Sequence, residues 1–249
     1  MNLTRLRLRG PNGAKDEFLL ASIAQNLRKL ARRRPRTPQH VLDQPMLDRV
    51  SALRPGTALD VGCGEGRFCR MLSKLDIATV GIDPVDAMVE AARSRDPEGD
   101  YQVAFAEHLP FANNSFDLVV SYLSLIDIDF LDEAVAEMAR VLKPGGRLLV
   151  ANLSSFSTSS AVIGKRYCRD TGEVLRPLGR YLTEEKSWFE WDGLRVRNWH
   201  RPLSTYMRSF LSLGLTLRHF DDPSPSGGPS VRVKSYECMP YLMIMEWEK

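Results

Sequence analysis

Three glycines at alternate positions, Gly62, Gly64 and Gly66, stand in the stretch ALDVGCGEGRFCRML, after an apolar run and before a helix-like one. Glycine has the most backbone freedom to lose on ordering. Three within five residues therefore point to a sharp turn, or to a backbone that must approach a ligand closely. In open α/β sheets ligands bind beyond the carboxyl ends of the strands, and the loop after a first strand lies there. The spacing here is GxGxG. The dinucleotide fingerprint GxGxxG would need glycine at position 67, which is Arg67. That departure argues against a nicotinamide or flavin cofactor. The loop also lacks a lysine and a serine or threonine in P-loop register, so a nucleoside triphosphate is disfavoured.

The elements around the loop alternate. Strands are expected over 57–61, 78–83, 101–105, 115–123 and 147–153, with helices over 66–75, 85–93 and 131–142 between them. A helix is expected over 203–214, then strands over 215–220 and 241–248. Two helices precede this series, one over 16–33 and one over about 44–53 with Pro45 near its first turn. Alternating strands and helices predict βαβ crossovers. The expected fold is α/β: a Rossmann-like, doubly wound, mostly parallel seven-stranded sheet with helices on both faces. Residues 1–40 form an N-terminal helical extension and 41–249 the ligand-binding domain.

The rhythm stops between 154 and 202, a lid-like insertion before the last helix. Inside it WFEW-DG-LRVR reads as a hairpin turning at Asp192-Gly193. In that register Trp191 faces Leu194, Phe189 faces Val196, Glu190 faces Arg195 and Trp188 faces Arg197. Insertions at the top of a sheet commonly serve as lids over a pocket.

Composition sets limits. The chain has 249 residues, 43% of them hydrophobic and 26% charged, with a net charge of +3. That is enough for a sizeable core, and too mildly basic to imply nucleic acid. Six basic residues cluster in RKLARRRPR (28–36), which reads as a solvated helix end or a phosphate-binding arm. The four cysteines, Cys63, Cys69, Cys168 and Cys238, form no CxxC pair and no metal spacing with histidine, so no metal is expected. They read as reduced thiols of a cytoplasmic protein. No apolar run is long enough to span a membrane, and no secretory signal is recognised.

DVGCGEG resembles motif I of the class I S-adenosylmethionine (SAM) dependent methyltransferases. GIDPVDAM resembles their second strand and its acidic end, AEHLPFANNSFDLVVS their third and fourth strands, and ARVLKPGGRLLV the turn into the fifth. Four such matches occur in order over about 45–153. The resemblance implies SAM as cofactor. Its amino-acid portion would lie against Gly62, Cys63, Gly64 and Gly66, with Asp60 accepting from its ammonium. Asp83 would accept from the ribose hydroxyls, as an acidic residue does in dinucleotide folds; its other role is to cap the following helix. Pro84 and Met88 would flank the adenine. Members often read DAE where this chain has Phe105, Ala106 and Glu107, and Phe105 cannot accept from the adenine amino group. The Ala106 amide and Glu107 are the remaining contacts there. Ser121 and Tyr122 would lie near the methyl group.

Methyl transfer from a sulfonium needs alignment and exclusion of water, and a base only where the acceptor must lose a proton. His200, just before the last helix, and Tyr206, one turn into it, are the candidates. Asp127 and Asp129 in LIDIDF could bind a cationic acceptor or cap the helix that follows. SYLS stands where amino-group methyltransferases of bases or glutamine carry (N/D)PP(Y/F), and no Pro-Cys pair occurs for cytosine C5 chemistry. The expected activity is methyl transfer by in-line displacement to an O, N or C atom of a small molecule. Nucleic acid is not the expected partner, and the oligomeric state is open. The alternatives are an RNA or protein methyltransferase docked by the basic arm, or a non-catalytic SAM-fold partner domain.

Overall fold

The computed structural model describes residues 38–161, 166–167, 174–175, 177–191, 194–224 and 239–249. The helix expected over 16–33, the basic run at 28–36 and the Asp192-Gly193 turn lie outside the described residues.

Seven strands form one sheet. They are β1 (Thr57–Val61), β2 (Ala78–Asp83), β3 (Asp100–Val103), β4 (Phe116–Tyr122), β5 (Leu142–Leu153), β10 (Thr216–Asp221) and β11 (Leu242–Glu248). Their order is β10-β11-β5-β4-β1-β2-β3. The pairs from β3 to β5 are parallel, and β11 runs antiparallel between β5 and β10. The order reverses on either side of β1, which places a crevice between the carboxyl ends of β1 and β4. The expected α/β class and doubly wound, mostly parallel sheet are borne out.

The strands alternate sides with period two. Leu148 and Val150 of β5 face one core; Leu149 and Ala151 face the other. The first core packs against α4 (Leu131–Val141) and α6 (Leu203–Leu211). α4 carries Asp132 and Glu133 in its first turn, which suits the positive end of the helix dipole. Its apolar stripe, Leu131, Val135 and Met138 among others, is buried. The second core packs against α1 (Pro38–Leu53) through Leu42, Met46 and Val50, and against α2 (Arg67–Ser73) through Phe68 and Leu72. α3 (Asp86–Arg95) joins α2 by packing Val89 and Ala92 with Cys69 and Tyr101.

The larger differences from expectation are at α1, at β5 and in the insertion. α1 starts at Pro38, so it crosses position 40 and holds Pro45 in its interior rather than its first turn. β5 starts at Leu142 and takes in KPGG, which had read as a turn. The insertion opens with a helix, α5 (Ser155–Ala161, SFSTSSA), whose polar composition carries no apolar period. The short strands β6 (Arg166–Tyr167) and β7 (Val174–Leu175) pair with each other. The hairpin of β8 (Glu185–Trp191) and β9 (Leu194–His200) has the register read from its sequence, from Trp191 opposite Leu194 to Trp188 opposite Arg197.

Candidate functional site

The loop from Gly62 to Gly66 runs from the end of β1 to the start of α2. All three glycines have positive φ, +80°, +56° and +75°. At Gly62 the need for glycine is also steric: a Cβ there would lie 2.4 Å from Ser124 Cβ. Ser124 is fixed in turn, donating from Oγ to the Val61 carbonyl at 2.6 Å. The Gly62 and Cys63 amides both bond the Ile82 carbonyl at 2.8 Å, which pins the loop to β2.

This loop forms one wall of a cleft of about 230 Å³. Of the residues expected at the cofactor, Asp60, Gly62, Cys63, Gly64, Met88 and Tyr122 line it. Glu65, Arg67, Phe68 and Leu123 line it as well and were not anticipated. Leu123 holds a φ of +58°, a costly conformation for a non-glycine residue, at the point where β4 enters the site.

Asp60 is only 1% exposed. Burial pushes its carboxyl up to about 7, against a hydrogen bond from Cys69 and the charge of Arg67, which pull the other way. Cys69 Sγ donates to Oδ2 at 3.3 Å, and Oδ1 has no partner among the described residues. A buried acceptor oxygen without a donor costs about 1–3 kcal/mol. A cationic group entering the cleft would meet that need.

Asp83 ends β2 and is largely buried, which raises its carboxyl above the usual range. Oδ2 accepts from the Gly64 amide at 3.0 Å and Oδ1 from the Val85 amide at 2.9 Å. It therefore ties the glycine loop to the entry of α3, the capping role weighed in the sequence. Each oxygen retains a second lone pair for a ligand hydroxyl.

Tyr122 and Arg67 share a partner on α1. Tyr122 Oη donates to Asp43 Oδ1 at 2.8 Å, and Arg67 Nη1 to Asp43 Oδ2 at 2.7 Å. The guanidinium lies 5.1 Å from the Tyr122 ring centroid, in cation–π contact. The sequence signal for Arg67 was its place directly after the third glycine, where the first residue of a helix faces the loop mouth.

Other expected residues stand away from the cleft. Ser121 is fully buried, with its Oγ 2.6 Å from Ser124 Oγ, behind the loop rather than in front of it. Gly66 abuts Tyr101, and its role is conformational. Pro84 is exposed, Ala106 is packed into the first core, and Glu107 is half-buried in the turn after β3. Tyr206 is 1% exposed, in the core with Phe210 and Trp247, too deep to serve as a base. Asp127 lies exposed on the loop after β4.

His200 is buried, and both of its ring nitrogens are engaged. Nε2 donates to the Tyr181 carbonyl at 2.8 Å, which leaves Nδ1, 2.7 Å from Thr158 Oγ1, to accept. The ring thus fastens β9 to α5 rather than facing an acceptor. The LIDIDF loop likewise anchors the insertion. Arg201, 2% exposed, donates to the carbonyls of Leu125 (3.0 Å), Ile128 (2.6 Å) and Asp129 (3.1 Å). Asp129 accepts from Trp199 Nε1 at 2.9 Å.

Among the described residues no group of three His, Cys, Asp or Glu is placed to hold a metal ion. No helix among them is long and apolar enough to cross a membrane.

Residues 59–150 match the family described as methyltransferase domain. Over 119 residues the chain is 34% identical to the methyltransferase GfsG of Streptomyces halstedii, covering 45% of this chain and 43% of that one. Over 109 residues it is 36% identical to a demethylmenaquinone methyltransferase of Renibacterium salmoninarum, covering 44% and 46%. The matched stretch thus spans less than half the length of these relatives. The fold is that of a solved SAM-dependent methyltransferase from Mesorhizobium loti, with a TM-score of 0.70 at 22% identity over 81% of this chain and 96% of that one. These findings agree with the resemblance carried by DVGCGEG: residues 59–150 match a methyltransferase domain, on a fold shared with solved SAM-dependent methyltransferases.

Proposed function

We propose that this chain, which carries a class I methyltransferase domain, transfers a methyl group from SAM to an O, N or C atom of a small molecule by in-line displacement. One observation carries the reading. A glycine loop of positive φ bounds a cleft lined by Asp60, a buried carboxyl that has one oxygen without a donor among the described residues. That oxygen fits the ammonium of SAM.

When bound, SAM supplies a methyl group already activated on its sulfonium. The protein's own part is to bind, orient and exclude water. Asp60 takes the ammonium, and the alternate glycines admit the amino-acid backbone. Asp83 offers its remaining lone pairs to the ribose hydroxyls while holding the loop. Met88 flanks the adenine with Pro84 at the rim, and Tyr122 closes the β4 side. His200, with both ring nitrogens engaged, and Tyr206, buried in the core, supply no base in this arrangement, which suits an acceptor that needs none or brings its own.

The acceptor class follows from the rim. Phe105 and Phe130 are 62% and 63% exposed, and both stand in loops at the carboxyl edge of the sheet. Phe156 and Trp188 of the insertion are also exposed. Large apolar side chains left open along one edge suit an acceptor with apolar surface. The insertion, whose described parts include α5 and the strands β8 and β9, is read as the lid over that acceptor. One relative's name, a demethylmenaquinone methyltransferase, agrees with a small-molecule acceptor.

The test is calorimetric titration with SAM and, separately, with NADH, followed by an acceptor screen with methyl-labelled SAM. Micromolar binding of SAM alone supports the reading. No SAM binding would put a non-catalytic partner domain ahead of it.

A further inference from the structure

Two thiols beside the cleft have no part in the proposed methyl transfer. Cys63 stands between the first two glycines of the loop, and Cys69 in the first turn of α2. Both are free cysteines. They converge on one point of β2: a Cβ added at Gly81 would lie 2.8 Å from Cys69 Sγ and 2.9 Å from Cys63 Sγ. Glycine at 81 leaves the space that the two sulfurs share, and the thiols are in hydrogen-bond contact with each other. Sulfurs that already meet need little backbone movement to be bridged.

The two thiols differ in what can reach them. Cys63 lines the cleft and is 8% exposed. Hydrogen peroxide is scarcely larger than water, and a cleft of about 230 Å³ admits it. Cys69 is 2% exposed and packs with Val89, Ala92 and Tyr101. Contact with Cys63, together with burial, pushes its thiol well above the ordinary range, so it stays protonated. One sulfur within reach of a small oxidant, with a second held beside it, is the arrangement of an attacking and a resolving cysteine. Among the described residues no group of three His, Cys, Asp or Glu is placed to make the pair a metal site.

We infer that Cys63 and Cys69 form a redox modification site, which a peroxide closes to an intramolecular disulfide and a thiol reductant reopens. The Cys63 sulfur attacks one oxygen of the peroxide. The O–O bond breaks, Cys63 becomes a sulfenic acid, and the other oxygen leaves with the Cys63 proton as water. The Cys69 sulfur then attacks the sulfenic sulfur. The S–O bond breaks, the S–S bond forms, and the hydroxide leaves with the Cys69 proton as a second water. The two thiols are oxidised together and the peroxide is reduced; a dithiol reverses the bridge by exchange. The bridge ties the glycine loop to α2 and takes from Asp60 Oδ2 its thiol donor. None of this depends on which molecule the cleft binds.

The experiment treats the reduced full chain with hydrogen peroxide, caps the remaining thiols with an alkylating agent, and maps the tryptic peptides by mass without reductant. Arg67 lies between the two cysteines, so cleavage there separates them. The expected product is the peptide ending at Arg67 joined to Phe68-Cys69-Arg70, with the loss of two hydrogen atoms. Dithiothreitol should part the two peptides completely. In Cys69→Ser, Cys63 should stop at the sulfenic acid, captured by dimedone. In Cys63→Ser, Cys69 should keep its thiol. Wild-type Cys63 carried on to sulfinic or sulfonic acid with Cys69 still reduced would overturn the inference. So would bridging of either cysteine to Cys168 or Cys238 instead, recovery of both as thiols, or oxidation of Cys69 in Cys63→Ser as fast as in the wild type. Should a serine variant fail to fold, the wild-type peptide map decides alone.

Discussion

Cys69 Sγ donates to Asp60 Oδ2 across 3.3 Å, while the opposite oxygen of the same buried carboxyl has no partner among the described residues. Burial holds that carboxyl near 7, so at pH 6 it is roughly 90% protonated. A bound ammonium requires it ionised. SAM binding at pH 6 is therefore expected to release close to one proton, seen as a dependence of the calorimetric heat on the ionisation enthalpy of the buffer. Asp60→Asn should abolish the release and weaken SAM at least tenfold, about 1.4 kcal/mol. Proton release unchanged in Asp60→Asn would sink the assignment.

The same group sets a pH dependence of stability. Burial pushes its pKa to about 7, well above the ordinary 3.8 of an aspartate. The folded state then holds a proton that the unfolded state has lost, so ligand-free protein loses stability as pH rises from about 4 to 7, by on the order of 4 kcal/mol. Denaturant unfolding at pH 5 and pH 7.5 measures it. Asp60→Asn should flatten the profile.

Gly62→Ala and Gly145→Ala make an internal comparison. Both glycines have positive φ, +80° and +75°. A Cβ at Gly145 meets nothing within 4 Å, whereas at Gly62 it strikes Ser124 Cβ. Gly145→Ala should cost about 1–2 kcal/mol, the left-handed penalty alone. Gly62→Ala should cost at least about 2 kcal/mol more. Equal losses on urea unfolding would show that the Gly62 turn yields easily.

Asp83→Ala strips the acceptor from the Gly64 and Val85 amides as well as from a ribose. It is expected to lower stability by about 1–3 kcal/mol and SAM affinity at least tenfold. A loss of stability with SAM affinity intact would leave Asp83 as a helix cap only.

His200→Gln should leave SAM affinity unchanged and lower the melting temperature, because the ring bridges Thr158 and Tyr181. The pH–rate profile should keep its shape. An inflection that disappears with the substitution would restore His200 to the mechanism.

Much of the fold was legible because the signals are local. β1 and β2 coincide with the apolar runs 57–61 and 78–83, and the hairpin register follows from alternation about Asp-Gly. α5 was not legible: SFSTSSA has no apolar stripe, and the burial of Ser155, Ser157, Thr158, Ser159 and Ser160 is a tertiary effect, with Thr158 meeting His200 of the hairpin. The glycine loop could be read from its spacing, and Asp60 and Asp83 from the family resemblance that DVGCGEG and GIDPVDAM carry. Arg67 with Asp43 could not, since the partners are 24 residues apart and meet only when α1 packs on the sheet. His200 misled for the converse reason. Its place before the last helix was right, but which atoms occupy its nitrogens depends on Thr158 and Tyr181, distant in sequence.

Both open edges of the seven-stranded sheet are modest. β3 has four residues and begins with Asp100; β10 has six, with Arg218, His219 and Asp221 among them. The strands richest in buried apolar residues, β4, β5 and β11, are flanked on both sides. An edge that is short and charged offers another chain little template for strand pairing. The arrangement keeps the sheet's most aggregation-prone sequences out of reach and leaves the apolar rim at its carboxyl end, rather than its edges, as the sticky part of the surface.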